Sequence, residues 1–516
     1  MDVQRIQDSV NIDRLSDYIG IRTKAGRQAL KEKTGQWTSD VKRLKQKSYE
    51  FATLQQTLQN SAIIKELNLT FRDLSEMEPE LDTLVETASE LETEAFNELL
   101  FLQPWSQPFN FIPYLLVIWS ALRVYIFPGM SLLMPLMMLI MPFIILRFMF
   151  SIPITLGRYS MILSTLFSGQ ITSLLDPNFV KDAPVTAVPF DIFQLFKSGF
   201  LLLTIGQSFL QPYWSWKHLS SIDAIIVKKA KALLHFKALY EDAVSLFKGH
   251  GYTLSPIPFA PDITDPRQLV AHAHLHTVYL KTARKRLGAL EALVCLAKQE
   301  NMVPVYWTIH KPCLELTDAY DYNVPSSIRK TFNISMGQKT GHALLTGPNR
   351  GGKSTTLRSV LTSCLLAHTY GCAPASKAIM SPLNTLFVCL TPEDLPGQKS
   401  RFEREIEFTA QTLKADPNQR HLVLLDELYH STNPPDAEKA CRIYTERLWT
   451  KQNTMSIVST HLFDFVEQAP STIQRLCCPA TVDGGIIKYS YRLTEGICKV
   501  SSVQELLVEN GLISSV

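Results

Sequence analysis

Thr346-Gly347-Pro348-Asn349-Arg350-Gly351-Gly352-Lys353-Ser354-Thr355 decides how this chain is read. It spells G-x-x-x-x-G-K-[ST], and its flanks have the composition that the motif needs. His342-Ala343-Leu344-Leu345 before it predicts a short buried strand, and Thr355 to Leu366 after it predicts a helix, with Leu357, Val360, Leu361, Cys364 and Leu365 at helical spacing. Strand, glycine-rich turn and helix in that order make an anion cradle. Glycines let backbone N–H groups turn inward, and the helix adds its positive N-terminus. Lys353 is then placed to reach terminal phosphates and Ser354 to ligate Mg²⁺, while Gly347, Pro348, Asn349, Arg350, Gly351, Gly352 and Thr355 complete the expected loop. The expected ligand is ATP with Mg²⁺.

Two downstream stretches fit the same chemistry. His421-Leu422-Val423-Leu424-Leu425-Asp426-Glu427 is an apolar strand ending in two carboxylates. In a P-loop ATPase the first, Asp426, holds Mg²⁺ through water and the second, Glu427, polarises the attacking water. Ser456-Ile457-Val458-Ser459-Thr460-His461 is another buried strand, and the histidine at its end suits a γ-phosphate contact. Lys353, Glu427 and His461 are therefore the expected catalytic residues, and Ser354 and Asp426 the expected Mg²⁺ ligands.

Taken in order, TGPNRGGKSTTLRSV, LLDELYHSTNPPDA and STH resemble the DNA mismatch-repair MutS family of ABC-type ATPases. Between them, Asp394 to Glu405 resembles that family's signature segment at Ser400, Phe402 and Glu405. The resemblance implies a homodimer in which Ser400 of one chain approaches the γ-phosphate held by Lys353 of the other, with Asp436 at the interface. Val324-Pro325-Ser326-Ser327-Ile328 resembles the loop beside the adenine, which makes Tyr322 a stacking candidate. Thr23 to Leu30 followed by Val41 to Leu54 resembles the start of the family's helical core, or lever, domain. Leu290 to Leu293 through Val303-Pro304 resembles its end. The resemblance further implies handling of mismatched or damaged DNA. However, no stretch resembles the family's mismatch-reading and connector domains, which are therefore expected to be absent, and a hydrophobic segment stands where the family inserts its DNA clamp. The Gly-rich loop after the carboxylate pair is replaced by Tyr429-His430-Ser431-Thr432-Asn433-Pro434-Pro435.

That hydrophobic segment is the second organising feature. Val124 to Leu146 is uncharged, as is Leu99 to Leu122 before it, and about 20 apolar residues span a bilayer as a helix. Pro128-Gly129 predicts a turn between two spans, roughly 109–127 and 130–150, with Arg123 and Arg147 near their ends. Ser198 to Trp216 is a weaker uncharged run ending in Tyr213, Trp214 and Trp216, readable as a span or as a re-entrant, interfacial or buried helix. A buried helical hairpin of a soluble protein is the alternative for 109–150. Helical segments on either side read as halves of one domain, so they must share one face of any bilayer. The crossings are then even in number, and Arg147, Arg158 and Lys181 fall on the ATPase side.

The remaining composition sets bounds. At 516 residues the chain holds roughly two to four domains. A net charge of +3 gives no global basic field for nucleic acid. All nine cysteines lie at or beyond Cys295 without C-x-x-C spacing, which fits reduced thiols in a cytosol-like compartment. Asp73 to Glu98 carries ten acidic residues and no Lys or Arg, with Glu86, Glu90, Glu94 and Glu98 four apart, as on a solvated helix face.

The expected architecture is thus an α/β P-loop ATPase domain of ABC, MutS-like type at 310–516. It is preceded by an all-α core/lever domain, 1–107 and 217–309, interrupted by a membrane segment, 108–216, built on a transmembrane helical hairpin. The expected protein is multi-pass, with its ATPase domain on the cytosolic side. The rival reading is a membrane-remodelling or scaffold ATPase that never touches DNA.

Overall fold

The computed structural model describes residues 3–85, 90–167, 192–247, 263, 265–337, 341–390, 400–483 and 486–512. The expected signature residues 394–399, the acidic Glu86 and the basic Lys181 lie outside them. The chain divides into two compact units, one of residues 1–78, 239–256 and 282–516, the other of residues 79–238 and 257–281. These units cut across the boundaries expected at 107, 216 and 309.

The first unit opens with helices α1 (Val3–Val10), α2 (Ile12–Ile19), α3 (Lys24–Thr34) and α4 (Val41–Thr57). Each start has a local cause. Asn11, left-handed at φ 60°, caps α2, while Thr23 caps α3 and Asp40 caps α4 through side-chain oxygens that accept backbone N–H groups. Helix α5 (Ser61–Val85) continues past the unit boundary.

The second unit holds α6 (Glu90–Asn97), α7 (Leu115–Ala121), α8 (Phe127–Ile144), α9 (Leu156–Phe167), the 79–238 part of α10 (Ile192–Leu246) and α11 (Pro266–Leu275), before α12 (Thr277–Ala297) leads back. The turn expected at Pro128-Gly129 is not there. A π-helical turn, Leu122–Ile126, joins α7 to α8, and another, Ile145–Met149, extends α8, so the helix runs unbroken from Leu115 to Met149. Proline breaks a helix by lacking an N–H and by crowding the carbonyl four residues back. Pro128 escapes both because it sits in the first turn of α8, where the preceding π turn has already shifted the ladder: Phe127 N–H donates to Leu122 O. Reversal comes instead at 150–155. There α9 folds back on α8, with the Tyr159 hydroxyl donating to Leu139 O at 2.5 Å, the Tyr159 and Phe143 rings 5.2 Å apart, and Arg147 donating to Ile154 O. Among the described residues one stretch, Leu115–Met137, is long and apolar enough to cross a membrane. The expected two-span hairpin within 109–150 is corrected to one continuous helix with a short return.

The rest of the first unit is α/β. Strands β1 (Met302–Pro304), β2 (Tyr306–Trp307), β3 (Leu314–Ala319) and β4 (Phe332–Met336) precede β5 (His342–Thr346), and the P-loop leads from β5 into α13 (Lys353–Tyr370). Then follow β6 (Cys372–Pro374), β7 (Lys377–Met380), β8 (Thr385–Cys389), α14 (Arg401–Leu413), β9 (His421–Leu425), α15 (Pro434–Trp449), β10 (Thr454–Ser459), α16 (Phe463–Gln468), β11 (Gln474–Cys477), β12 (Ala480–Asp483), β13 (Ile486–Tyr489), β14 (Thr494–Glu495) and α17 (Val503–Glu509). The main sheet has the order β14-β11-β5-β10-β9-β8, parallel except for β14. Its central strands β5, β9 and β10 are buried at every position, as parallel strands covered on both faces must be. A smaller sheet, β2-β7-β3-β4, stands beside it.

Candidate nucleotide-binding and hydrolysis site

Sheet order assembles the site. Strand β10 lies between β5 and β9, with Val458 opposite both Leu344 and Leu425. The C-terminal ends of three neighbouring parallel strands therefore deliver the P-loop, Asp426-Glu427 and His461 to one edge, where open α/β sheets bind ligands.

The loop takes the conformation its glycines allow. Gly347 and Gly352 have φ 147° and 103°, and Arg350 is left-handed at 65°. A Cβ at Gly347 would stand 2.9 Å from Cys478 O, so that position has no room for a side chain. Gly351 N–H donates to Pro348 O, closing the turn, and Gly352 is the N-cap of α13. Asn349, Arg350 and Ser354 are exposed, and Thr355 is half-buried.

Lys353 is buried, and its Nζ donates to Gly347 O at 3.0 Å and Pro348 O at 3.3 Å and lies 3.1 Å from His461 Nε2. His461 Nε2 is in turn 3.3 Å from Glu427 Oε1. Lysine, histidine and carboxylate thus form a continuous chain. Burial lowers the Lys353 pKa, while the Glu427 and Asp426 carboxylates oppose the fall. The hydrogen bond from His461 is the largest influence holding Glu427 below the usual carboxylate range, outweighing burial. Ser459, opposite the end of β9, accepts the Glu427 N–H at 2.9 Å and donates its hydroxyl to Asp426 Oδ1. That contact holds Glu427 in a left-handed conformation, φ 50°, with Tyr429 also left-handed at 60°. Non-glycine residues in that region cost roughly 1 kcal/mol or more each, and surrounding bonds must hold them there.

A cleft of about 450 Å³ is lined by Pro348 to Thr356 and Glu427, with Asp321, Val324, Ile328, Phe332 and Tyr491 at its side; His461 is not among its lining residues and reaches it through Lys353 and Glu427. Its groups suit a nucleotide triphosphate: backbone N–H groups at a helix start, one buried ammonium, and the Ser354 hydroxyl, with Asp426 next to the lining residue Glu427 though not itself lining; hydroxyl and carboxylate are of the oxygen type that Mg²⁺ takes.

Tyr322, the expected stacking residue, is not among the lining residues. It is buried with its hydroxyl donating to Val10 O and its ring near Tyr18, so it anchors the junction of α1 and α2. Its neighbours Val324 and Ile328 do line the cleft, and Phe332 and Tyr491 are the aromatic side chains there. Tyr491 was missed because no local motif marks it: it follows β13 and reaches Gly352 only through the fold, 3.8 Å from where a Cβ would stand.

The expected signature residues separate into two groups. Ser400 is exposed, caps α14 in a reciprocal box with Glu403, and does not line the cleft of its own chain. Asp436 is exposed at the start of α15, bonded to its cap Asn433. Phe402 and Glu405, expected at the dimer interface, point into the fold instead. Phe402 meets the Tyr429 ring edge-on at 5.7 Å. Glu405 is buried, accepts from Arg401 and Ser431, and has its pKa pushed up by burial. Both tie α14 to the loop after β9.

Over this part the chain is MutS-like: residues 343–507 match the family model for MutS domain V, the ATPase domain of the MutS family.

Proposed function

We propose that the protein is a membrane-anchored, ATP-hydrolysing MutS-type homodimer whose heads close on ATP and open on hydrolysis. The observation that carries this is the chain Lys353–His461–Glu427 beside a P-loop at the C-terminal edge of a parallel sheet. Lys353 exchanges its loop carbonyls for phosphate oxygens, and His461, between ammonium and carboxylate, meets the γ-phosphate while orienting Glu427. Glu427, held charged, polarises the attacking water. Ser354 and Asp426 would hold Mg²⁺, which would supply neutralisation of the phosphate charge. Ser400, exposed and away from its own cleft, serves the partner's nucleotide. ATP then favours the closed state because that state alone makes the contact. The family match supports a role in handling mismatched DNA.

Steady-state turnover, with and without mismatched duplex, tests this reading. Stimulation by duplex that fades steeply with salt is the expected result, since phosphate contacts release counterions. Turnover in wild type no greater than in Lys353→Ala would end the ATPase reading. A second reading, a membrane-remodelling ATPase that does not bind DNA, is favoured by the apolar helix Leu115–Met137, only 22% of which is buried. Stimulation by liposomes but not by duplex would select it.

A further inference from the structure

The membrane reading requires an even number of crossings, and the unbroken helix from Leu115 to Met149 removes the turn that would have supplied two within 109–150. We infer that the bilayer is crossed by two long helices, one through Val124–Leu146 and the other through Ser198–Trp216 of α10, with the turn at 150–155 on the far face. This inference rests on the membrane reading above.

Length argues first. Arg123 and Arg147 are 24 residues apart on the continuous helix, about 36 Å at 1.5 Å per residue, and Lys197 and Lys217 are 20 apart on α10, about 30 Å. A bilayer's hydrocarbon core is about 30 Å thick, so each uncharged stretch makes one crossing and neither makes two. Helix α9, 12 residues or about 18 Å, is too short to cross.

Level argues second. The Ser120 hydroxyl donates to Asp223 Oδ1 at 3.2 Å, tying the first helix to α10. Asp223 is itself gripped by Arg267 through two bonds, 2.8 and 2.9 Å, in a half-buried pair that needs a polar setting. From that tie the first uncharged stretch begins at Val124 and the other at Trp216, each within about 10 Å along its helix. Both stretches are inferred to run the same way from that tie, which sets them at the same depth over nearly their whole length.

The edges argue third. Near the tie, Arg123 stacks over Trp119 at 5.6 Å and pairs with Glu98, while Lys217 lies 5.4 Å from the Trp214 ring. Cations on tryptophans at matching levels are the composition of a membrane–water interface. Between the edges, Met130, Leu133, Met134, Met137 and Ile140 are more than half exposed on one helix, as are Leu203 and Leu210 on the other. Uncovered apolar surface on this scale has one fitting occupant in a stretch of this length, lipid acyl chains. The arrangement moves Arg147 to the face opposite the ATP site.

The test places single cysteines in the full-length protein in sealed vesicles and labels them with a membrane-impermeant maleimide. The native cysteines are free but buried, so the wild-type chain is the blank. Ser151→Cys should react only from the face opposite the ATP site, while Gly129→Cys and Leu203→Cys react from neither face. Each variant is first checked for ATP binding. Reaction of Gly129→Cys from the far face together with Ser151→Cys from the ATP face would overturn the inference while leaving the membrane reading intact. Reaction of Leu203→Cys in sealed vesicles would remove α10 as the second span. Release of intact wild-type protein by alkaline carbonate would overturn the membrane reading, and the inference with it.

Discussion

Replacing Glu427 by glutamine separates chemistry from binding more cleanly than any other change in the site. Glutamine has the same shape, and the backbone at Glu427 is held by its N–H bond to Ser459, so the side chain keeps its place 3.3 Å from His461. The charge and the basicity disappear. A positioned general base contributes about 10² to 10⁴ in rate, so kcat should fall by about 10³, close to 4 kcal/mol of barrier. Nucleotide affinity should move the other way. A carboxylate facing phosphates repels them, and its loss from a half-exposed position strengthens binding by about 1 kcal/mol, or roughly fivefold. Single-turnover release of γ-phosphate measures the first effect and titration with a fluorescent nucleotide the second. Sedimentation with ATP should show the closed dimer accumulating. A kcat within threefold of wild type, with binding intact, would refute the assignment of Glu427. An equal loss of binding and turnover would mean that the loop had been disrupted instead.

Further outcomes follow from the same geometry. Since the hydrogen bond from His461 is the main cause of the lowered Glu427 pKa, turnover should be lost only as pH falls through that lowered value; in His461→Ala the acid limb of the pH–rate profile should move to higher pH, and an unmoved limb would exclude the coupling. The stability that this carboxylate contributes has the same sign, present above its unfolded pKa of about 4.3 and lost as pH falls through the folded value. Ser400→Asp keeps the α14 cap, because aspartate caps as well as serine, yet sets a negative charge toward the partner's phosphate. Its melting temperature should fall only slightly, because aspartate loses the hydroxyl's bond to Glu403 and faces that carboxylate at an exposed site, and its turnover should be lost. Mixing it with Lys353→Ala chains should restore part of that turnover through the one intact composite site, and no recovery in proven heterodimers would count against sharing. Gly371→Ala should cost about 2–4 kcal/mol, read as a lower urea midpoint: φ 77° disfavours alanine by about 1 kcal/mol, and its Cβ would stand 2.4 Å from Ser48 N, forcing the backbones apart.

The sequence was most legible where function is local. The strand, turn and helix around Gly347 to Thr355 lie in one short segment, so that local geometry could be read directly. Asp426, Glu427 and His461 were legible because each ends an apolar strand, and strand ends of a parallel sheet share an edge. Tyr322 failed because proximity to Val324 and Ile328 in sequence says nothing about which way a ring turns. The fold sends it to Val10 instead. Glu405 failed similarly. The resemblance matched its letter, but the helix that exposes Ser400 at its cap buries Glu405 one turn later. Pro128-Gly129 misled for a backbone reason: a π turn spends one extra residue before the proline, and no residue pattern announces that choice.

What joins the nucleotide site to the helices of its own unit is close backbone approach reinforced by side-chain hydrogen bonds. Helix α13 begins at the P-loop and ends at Gly371, whose missing side chain lets it abut the Lys47-Ser48 backbone of α4. Lys47 Nζ donates to His368 O in the last turn of α13, and His368 is stacked on Trp37 at 3.9 Å. Helix α3, also packed on α13, starts against two carboxylates. Glu78 of α5 accepts the N–H groups of Lys24 and Ala25, and buried Glu291 of α12 accepts those of Arg22 and Thr23. A helix N-terminus held by two carboxylates is a directional, charge-assisted joint. Gly288 keeps α12 in backbone contact with α3 beside it, since a Cβ there would stand 2.5 Å from Ala25 O, and Gly26 leaves room for the Glu291 carboxylate. Close-packed backbones have no slack to absorb a shift. Under the proposed closure on ATP, a displacement of α13 would therefore carry α3 and α4 with it, and the bonds to Glu78 and Glu291 would pass it on to the helix segments that bear them.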